Sequence, residues 1–229
     1  MTMSKYARLL TAAAALLLST LFALPLWRIY LLAPQYPEGL GLEIHLNTVR
    51  GVSPNDLDNI NELNHYIGMK TIDPHAIPVL HIMPWVVGAL VLTGLVVALV
   101  GRRKLLIAWL VSFVGLSLAG LAEFWRWEHD YGHNLDLEHA IIKVPGMTYQ
   151  PPIIGSKQLL NFTAISWPGP GAWVAALAVA LAVAALVVSR RRQLAGGASG
   201  APADVRADAV GEPDTDARAP HPRPAEVSA

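Results

Sequence analysis

The chain has 229 residues, with 17 Lys and Arg balancing 17 Asp and Glu, no cysteine, and 53% apolar residues. Zero net charge without a broad basic stripe excludes a nucleic-acid surface, and the lack of cysteine excludes the Cys-x-x-Cys-His attachment of a c-type haem. The apolar residues gather in blocks rather than spreading as in a soluble core. Leu9–Leu26, Ile82–Val100, Leu105–Phe124 and Trp173–Ser189 each run about 17–20 residues, the length that crosses ~30 Å of hydrocarbon. In lipid such segments are helical, because every backbone donor needs a partner within its own segment. The expected fold is an all-α integral membrane protein with four transmembrane helices and two structured extracytoplasmic loops.

In chain order, "MTMSKYAR" precedes a block that runs into "LFALPLWRIY", which offers no Ala-x-Ala-like cleavage site. Residues 1–26 therefore read as a tail and an uncleaved first span. Residues 27–81 form the first loop, 82–124 the second and third spans, 125–172 the second loop and 173–192 the fourth span with its arginine stop. Lys5 and Arg8, then Arg102, Arg103 and Lys104, then Arg190, Arg191 and Arg192 all gather on one side under alternate crossing. The positive-inside rule makes that side the cytoplasm, so both chain ends lie inside. Both long loops then face outward, away from the cytoplasm. Trp27, Trp85, Trp125, Trp127, Trp167 and Trp173 fall near the outer span ends, as an aromatic belt would. Residues 193–229, rich in Ala, Pro and Gly and without apolar periodicity, read as a disordered cytoplasmic tail.

Every acidic residue ahead of that tail falls on the outer side, as do all histidines but His221. In the first loop, "LEIHLNTV" alternates and predicts a short strand over 42–49 with Glu43, His45 and Asn47 on its wet side. "VSPNDLDNINELNHYIGMK" predicts an amphipathic helix that lies on the membrane or caps the bundle. Its signals are Ser53 as N-cap, Pro54 in the first turn and Gly68 as stop. His65 and Met69 stand four apart at its end. Imidazole and thioether are ligand types suited to copper; equally, His65 caps its own loop and Met69 packs.

In the second loop, "EFWRWEHDYGHNLD" continues the third span. If the helix persists, Arg126, His129 and His133 share one face and Glu123, Trp127 and Asp130 another. His129 and His133 then suit one metal ion, unless Gly132 ends the helix first. Glu123 either serves a site in the bundle or pairs with Arg126 and closes the span end. Glu138 and His139 suggest a short helix. In "KVPGMTYQPPIIGSKQLLNF", prolines favour an extended path and Ser156 suits the cap of a helix over Lys157–Ala164. Met147, Tyr149 and Gln150 either line a cavity or pack the two loops together. No nucleotide loop, nucleophile elbow or zinc-protease signature is present, so no motif assigns an enzymatic reaction.

The blocks "PLWRIYLLAPQYPEGLGLEI", "INELNHYIGMKTI" and "FWRWEHDYGHNLD…VPGMTYQPPIIGSKQLLNF" resemble a NosB-like family of small multi-span membrane proteins encoded in clade II nitrous oxide reductase gene clusters. The resemblance covers about residues 24–173 and leaves out the tail. It implies a membrane accessory protein for maturation or activity of nitrous oxide reductase, a multicopper enzyme matured outside the cytoplasm. It carries over no catalytic residues. Copper handling at the outer face would use His65, Met69, His129, His133 and Met147, which lie in the matching blocks. The reductase and its copper-maturation proteins are then the expected partners beyond the lipid bilayer. A second expectation is a quinol-interacting or electron-transfer subunit, with Glu123 and Trp127 beside the head group and His129 near them. A third is a docking scaffold without chemistry. Copper handling calls for converging His and Met groups on the outer surface, quinol binding for a cleft between spans, and a scaffold for neither.

Overall fold

A computed structural model describes residues 2–198, with side chains through Arg190. Its elements in chain order are α1 (Lys5–Leu18), β1 (Trp27–Ala33), β2 (Tyr36–Ile44), β3 (Val49–Gly51), α2 (Asp56–Tyr66), α3 (Pro78–Val100), α4 (Arg103–His133), β4 (Gly155–Leu159), β5 (Phe162–Pro168) and α5 (Pro170–Ala198). Helix α1 is prolonged by a 3₁₀ turn, Ser19–Phe22. With that turn, α1, α3, α4 and α5 are four helices long and apolar enough to cross a membrane.

The spans pack through small residues. Ala7, Ala14 and Ala15 of α1 and Ala178, Ala182 and Ala185 of α5 are fully buried, which lets helix backbones approach where lipid supplies no hydrophobic drive. Gly94 of α3 marks the closest approach: a Cβ there would stand 2.8 Å from the Ala15 Cβ and from the Trp109 ring. The Trp109 indole donates to the Leu90 carbonyl at 2.9 Å and ties α4 to α3. At the end bearing the short α3–α4 link, the Met3 N–H donates to Gly101 O at 2.7 Å and Arg8 Nε to Ala98 O at 2.7 Å.

The other end carries a five-stranded antiparallel sheet of order β3-β2-β1-β5-β4. This corrects the all-α expectation: the architecture is mixed, four apolar helices plus a sheet. The sheet is rooted on the spans, since β1 follows the end of α1 and β5 runs into α5. The N–H groups of Gly169 and Gly171 donate to Leu26 O and Pro25 O, each at 2.9 Å, and lock the two junctions together. The chain hid this sheet for two reasons. "WRIYLLA" prolongs an apolar block and reads as more span. Its partner β5 lies far along the chain, where the core face takes the small Ala164 and Ser166 while Ile165 and Trp167 face away. Apolar alternation is thereby masked. The helix expected over Lys157–Ala164 is instead the β4–β5 hairpin, turning at Leu160, whose φ is 53°.

The strand expected at 42–49 ends at Ile44, and His45 turns back through its N–H to Thr48 O at 2.8 Å. Leu46 at the tip of that turn is buried in the bundle core. Helix α2 lies on the sheet, its Ile60 packed with Ile29 and Leu42. Its start is not capped by the Ser53 hydroxyl. Asp56 Oδ2 instead accepts from the N–H groups of Ser53 and Gly41, both at 2.9 Å, and so pins the helix to β2. Gly68 follows with φ +76°, the left-handed stop its place after the helix suggests.

Helix α4 has 31 residues, so at about 46 Å it outruns the hydrocarbon. Its last turns pack against the sheet through Phe124, Trp127 and Tyr131. Gly132 does not stop it. The bare backbone there admits the Gln150 main chain, and the Tyr149 N–H donates to Gly132 O at 2.9 Å. The short helix expected at Glu138 and His139 is a turn in which Asp136 accepts from both backbone N–H groups. The expected disordered tail lies, beyond Ala198, outside the described residues; up to that point α5 continues.

Candidate functional site

A cavity of about 430 Å³ opens among the four spans directly beneath the sheet, within the range of small-molecule sites. Its walls include Leu18 of α1, Val87 of α3, Gly120 of α4 and Ala175 of α5. Its roof is Trp27, His45 and Leu46. The β2–β3 turn builds that roof, because Leu46 needs apolar company and reaches into the bundle for it. An aromatic file borders the space, Trp27 to Phe124 at 5.2 Å and Phe124 to Trp127 at 6.5 Å between ring centres, and continues beyond it to Tyr131, 4.6 Å from Trp127.

Polar groups around this cavity are few. The Trp27 indole already donates to Ser166 Oγ at 2.8 Å, and the Ser117 hydroxyl to Phe113 O at 2.9 Å. His45, Glu123 and the Trp127 N–H retain hydrogen-bonding capacity. Glu123 is half-exposed and meets Arg126 only at 3.4 Å. The Trp127 Nε1 is buried without a partner. His45 is 5% exposed and its Nε2 lies 3.3 Å from Glu43 Oε2. Glu43 is held in turn by Arg28, at 2.7 Å from Oε1, and by Arg50 at 3.6 Å. These charges form one row across β1, β2 and β3, since Arg28, Glu43 and Arg50 are register partners. Burial pulls the Glu43 pKa upward, but hydrogen bonds from Arg28 and His45 outweigh it and hold the group below the usual carboxylate range. Desolvation holds His45 below its ordinary value against the pull of Glu43, so the ring is neutral near pH 7.

A second, smaller cavity of about 60 Å³ lies inside the sheet domain, between the sheet, α2 and the end of α4. Glu128 borders it about one turn beyond the apolar part of α4, 1% exposed, with neither carboxyl oxygen partnered among the described residues. Tyr149, 2% exposed, also keeps an unpartnered hydroxyl there. Burial pushes the Glu128 carboxyl up to about 8 and raises the Tyr149 phenol. Such orphaned groups are rare in protein interiors.

The expected metal ligands separate. His129 and His133 do meet on α4: their rings stack with centres 3.9 Å apart, and Trp125 stacks on His129 at 5.2 Å. His129 Nδ1 lies 3.3 Å from Gln150 Oε1 and His133 Nδ1 lies 3.0 Å from His129 O, leaving both Nε2 atoms unengaged among the described residues. His65 stands exposed on α2, and no hydrogen bond or ring contact joins it to that pair. Met69 turns inward and lines the small cavity with Glu128 and Tyr149. Met147 is half-buried in a turn whose N–H donates to Val144 O at 3.2 Å. Among the described residues no three His, Cys, Asp or Glu side chains gather as a metal-holding group. Of the quinol candidates, Glu123 and Trp127 both border the large cavity, whereas His129 does not.

Glu43, His45 and Glu128 were not read as site residues from the sequence. For His45 a signal existed, a histidine closing an alternating run just before an apolar Leu46. Nothing local marks Glu128, whose burial comes from α2 and the sheet closing over α4. No protein-family model matches the chain, and no curated protein matches it. Fold and site define a bundle of four helices long and apolar enough to cross a membrane, crowned by an antiparallel sheet, with an apolar cavity between the two.

Proposed function

We propose that the protein binds a lipid-soluble quinol-class molecule in the cavity between its spans, as a membrane subunit or accessory of nitrous oxide respiration. One observation carries the reading: a space of about 430 Å³ that is apolar along the spans and ends in aromatic rings beside His45, Glu123 and a Trp127 N–H that has no partner among the described residues. An isoprenoid tail suits the walls, a flat ring suits the border of Trp27, Phe124 and Trp127, and the polar groups suit its oxygens. The link to nitrous oxide reductase rests on the resemblance of the loop blocks. The basic clusters at the end away from the sheet support a bacterial cytoplasmic membrane with the sheet domain outside.

The test is titration of the purified full chain in lipid nanodiscs with a short-tailed benzoquinone, read by tryptophan quenching, alongside solvent extraction of any co-purifying quinone. Saturable binding that is lost in Gly120→Phe, which fills the cavity, supports the reading. A wild-type protein that neither binds nor co-purifies a quinone overturns it.

The stacked His129–His133 pair favours a second reading, copper handling at the outer face, because two free Nε2 atoms sit side by side on an exposed helix end. Near-stoichiometric cuprous or cupric binding that disappears in His129→Ala/His133→Ala supports it. Binding unchanged by the double substitution removes the pair from consideration.

A further inference from the structure

The roof of the large cavity carries a hydrogen-bonding group whose polarity is fixed from behind. The His45 ring is 5% exposed and borders the cavity. Its Nε2 faces Glu43 Oε2 at 3.3 Å, and Arg28 and Arg50 hold that carboxylate from the far side. An ionised carboxylate only accepts, so Nε2 carries the hydrogen and Nδ1 of the neutral ring keeps its lone pair. Among the described residues Nδ1 has no hydrogen-bond partner. The turn cannot swing away to water, since Leu46 is buried in the bundle and the His45 N–H is bonded to Thr48 O at 2.8 Å. A residue of the cavity's roof therefore carries a rigid acceptor.

We infer that His45 makes this a site for the reduced form of its ligand: Nδ1 accepts a hydrogen bond from a quinol hydroxyl, which the corresponding quinone lacks. The inference rests on the quinol-class reading of the cavity and adds its selectivity. A quinone carbonyl brought to the same place would set one lone pair against another in a desolvated corner, and a buried acceptor left unpaired costs binding. Glu43 is the positioning residue, because without a carboxylate behind it the ring is free to take the other tautomer and present an N–H instead. Glu123 and the Trp127 N–H do not substitute for it: the indole only donates, and Glu123 is half-exposed at the rim.

The experiment measures anaerobic affinities of the full chain in nanodiscs for a short-tailed benzoquinol and the matching benzoquinone. Wild type is expected to bind the quinol about tenfold more tightly, the worth of one buried hydrogen bond. His45→Leu is expected to bring quinol affinity down to the quinone level while quinone affinity stays within about twofold. His45→Gln, which keeps size and offers an amide acceptor, is expected to retain a preference of about threefold, and decides the case if His45→Leu does not fold. Glu43→Gln is expected to shrink the preference with both ligands still bound. Equal affinities in wild type, or a full preference surviving in the His45 variants, overturn the inference and leave the cavity reading standing. Failure of wild type to bind either form overturns the cavity reading itself.

Discussion

The bundle and the sheet domain solve the same problem, buried backbone and polar groups, in opposite ways. In the bundle the side-chain hydroxyls find local solutions, and only Trp109, Arg8 and the Met3 N–H reach across to Leu90, Ala98 and Gly101 among the described residues. Thr11, Thr93 and Ser117 donate to carbonyls one turn back in their own helices, and small residues do the packing. In the sheet domain the solutions are distant in sequence: Asp56 serves Gly41, Asn61 serves Ile72, and Trp27 reaches Ser166. A local scheme survives the loss of a neighbour, whereas a distant one falls with its keystone.

Asp56→Ala tests that contrast most severely. It strands two N–H groups, one on β2 and one at the start of α2, and is expected to cost about 4 kcal/mol. The sheet domain should become protease-sensitive while the helical circular dichroism of the spans persists. Loss of both together would mean that the two regions stand or fall as one. Gly94→Leu is the matching insult to the bundle. Its side chain must displace Ala15 and Trp109, at a cost of about 2–3 kcal/mol. Thermal unfolding followed in detergent should show it, and an unchanged midpoint would argue against close α1–α3 packing.

Glu128 sharpens the comparison, because it is the sheet domain's unsolved case. Its carboxyl is raised from 4.5 to about 8 by burial. Between those values the folded chain holds a proton that the unfolded chain has released. Stability therefore falls as pH rises through that window and levels off above about 8. Glu128→Gln removes the titration, so its melting temperature should lack that downward slope. Near pH 8 the Gln variant should be the more stable of the two. Parallel pH profiles for the two proteins would show that Glu128 is paired or hydrated in solution.

The same contrast explains what the chain reveals before folding. The spans are legible because lipid imposes length and apolarity on each segment separately. Gly68 as a helix stop is also local and readable, whereas the persistence of α4 to His133 is open in the sequence, because it depends on the Gln150 main chain seating against Gly132. The strand β1 is not legible, since apart from Arg28 "WRIYLLA" is apolar or aromatic on both faces of its alternation and its partner β5 arrives far later in the chain. Asp56 looks like a first-turn acid and turns out to be a tie between two elements. The candidate site was half visible: Glu123 and Trp127 sit on a span end whose polarity is plain, but His45 becomes a roof only when the β2–β3 turn lowers Leu46 into the bundle.

The smallest expected effect belongs to Lys70 and Asp130, a distant pair left in solvent. Lys70 Nζ lies 2.6 Å from Asp130 Oδ2 and joins the segment after α2 to the end of α4. Hydrogen bonds from Lys70 and from Asn134 hold the Asp130 pKa below the usual carboxylate range. A depressed acid contributes stability above its unfolded pKa and loses it as pH falls through the folded one, so any contribution fades in acid. Both side chains are nearly half exposed, and water and salt screen such pairs to less than about 1 kcal/mol. Lys70→Ala should accordingly shift the unfolding midpoint by less than Asp56→Ala by several fold, and the shift should shrink further in high salt. A large, salt-insensitive loss would show that Lys70 acts through packing on Tyr131, whose ring centre lies 6.0 Å from Nζ. Distance in sequence makes a contact decisive only where burial denies it water as an alternative partner.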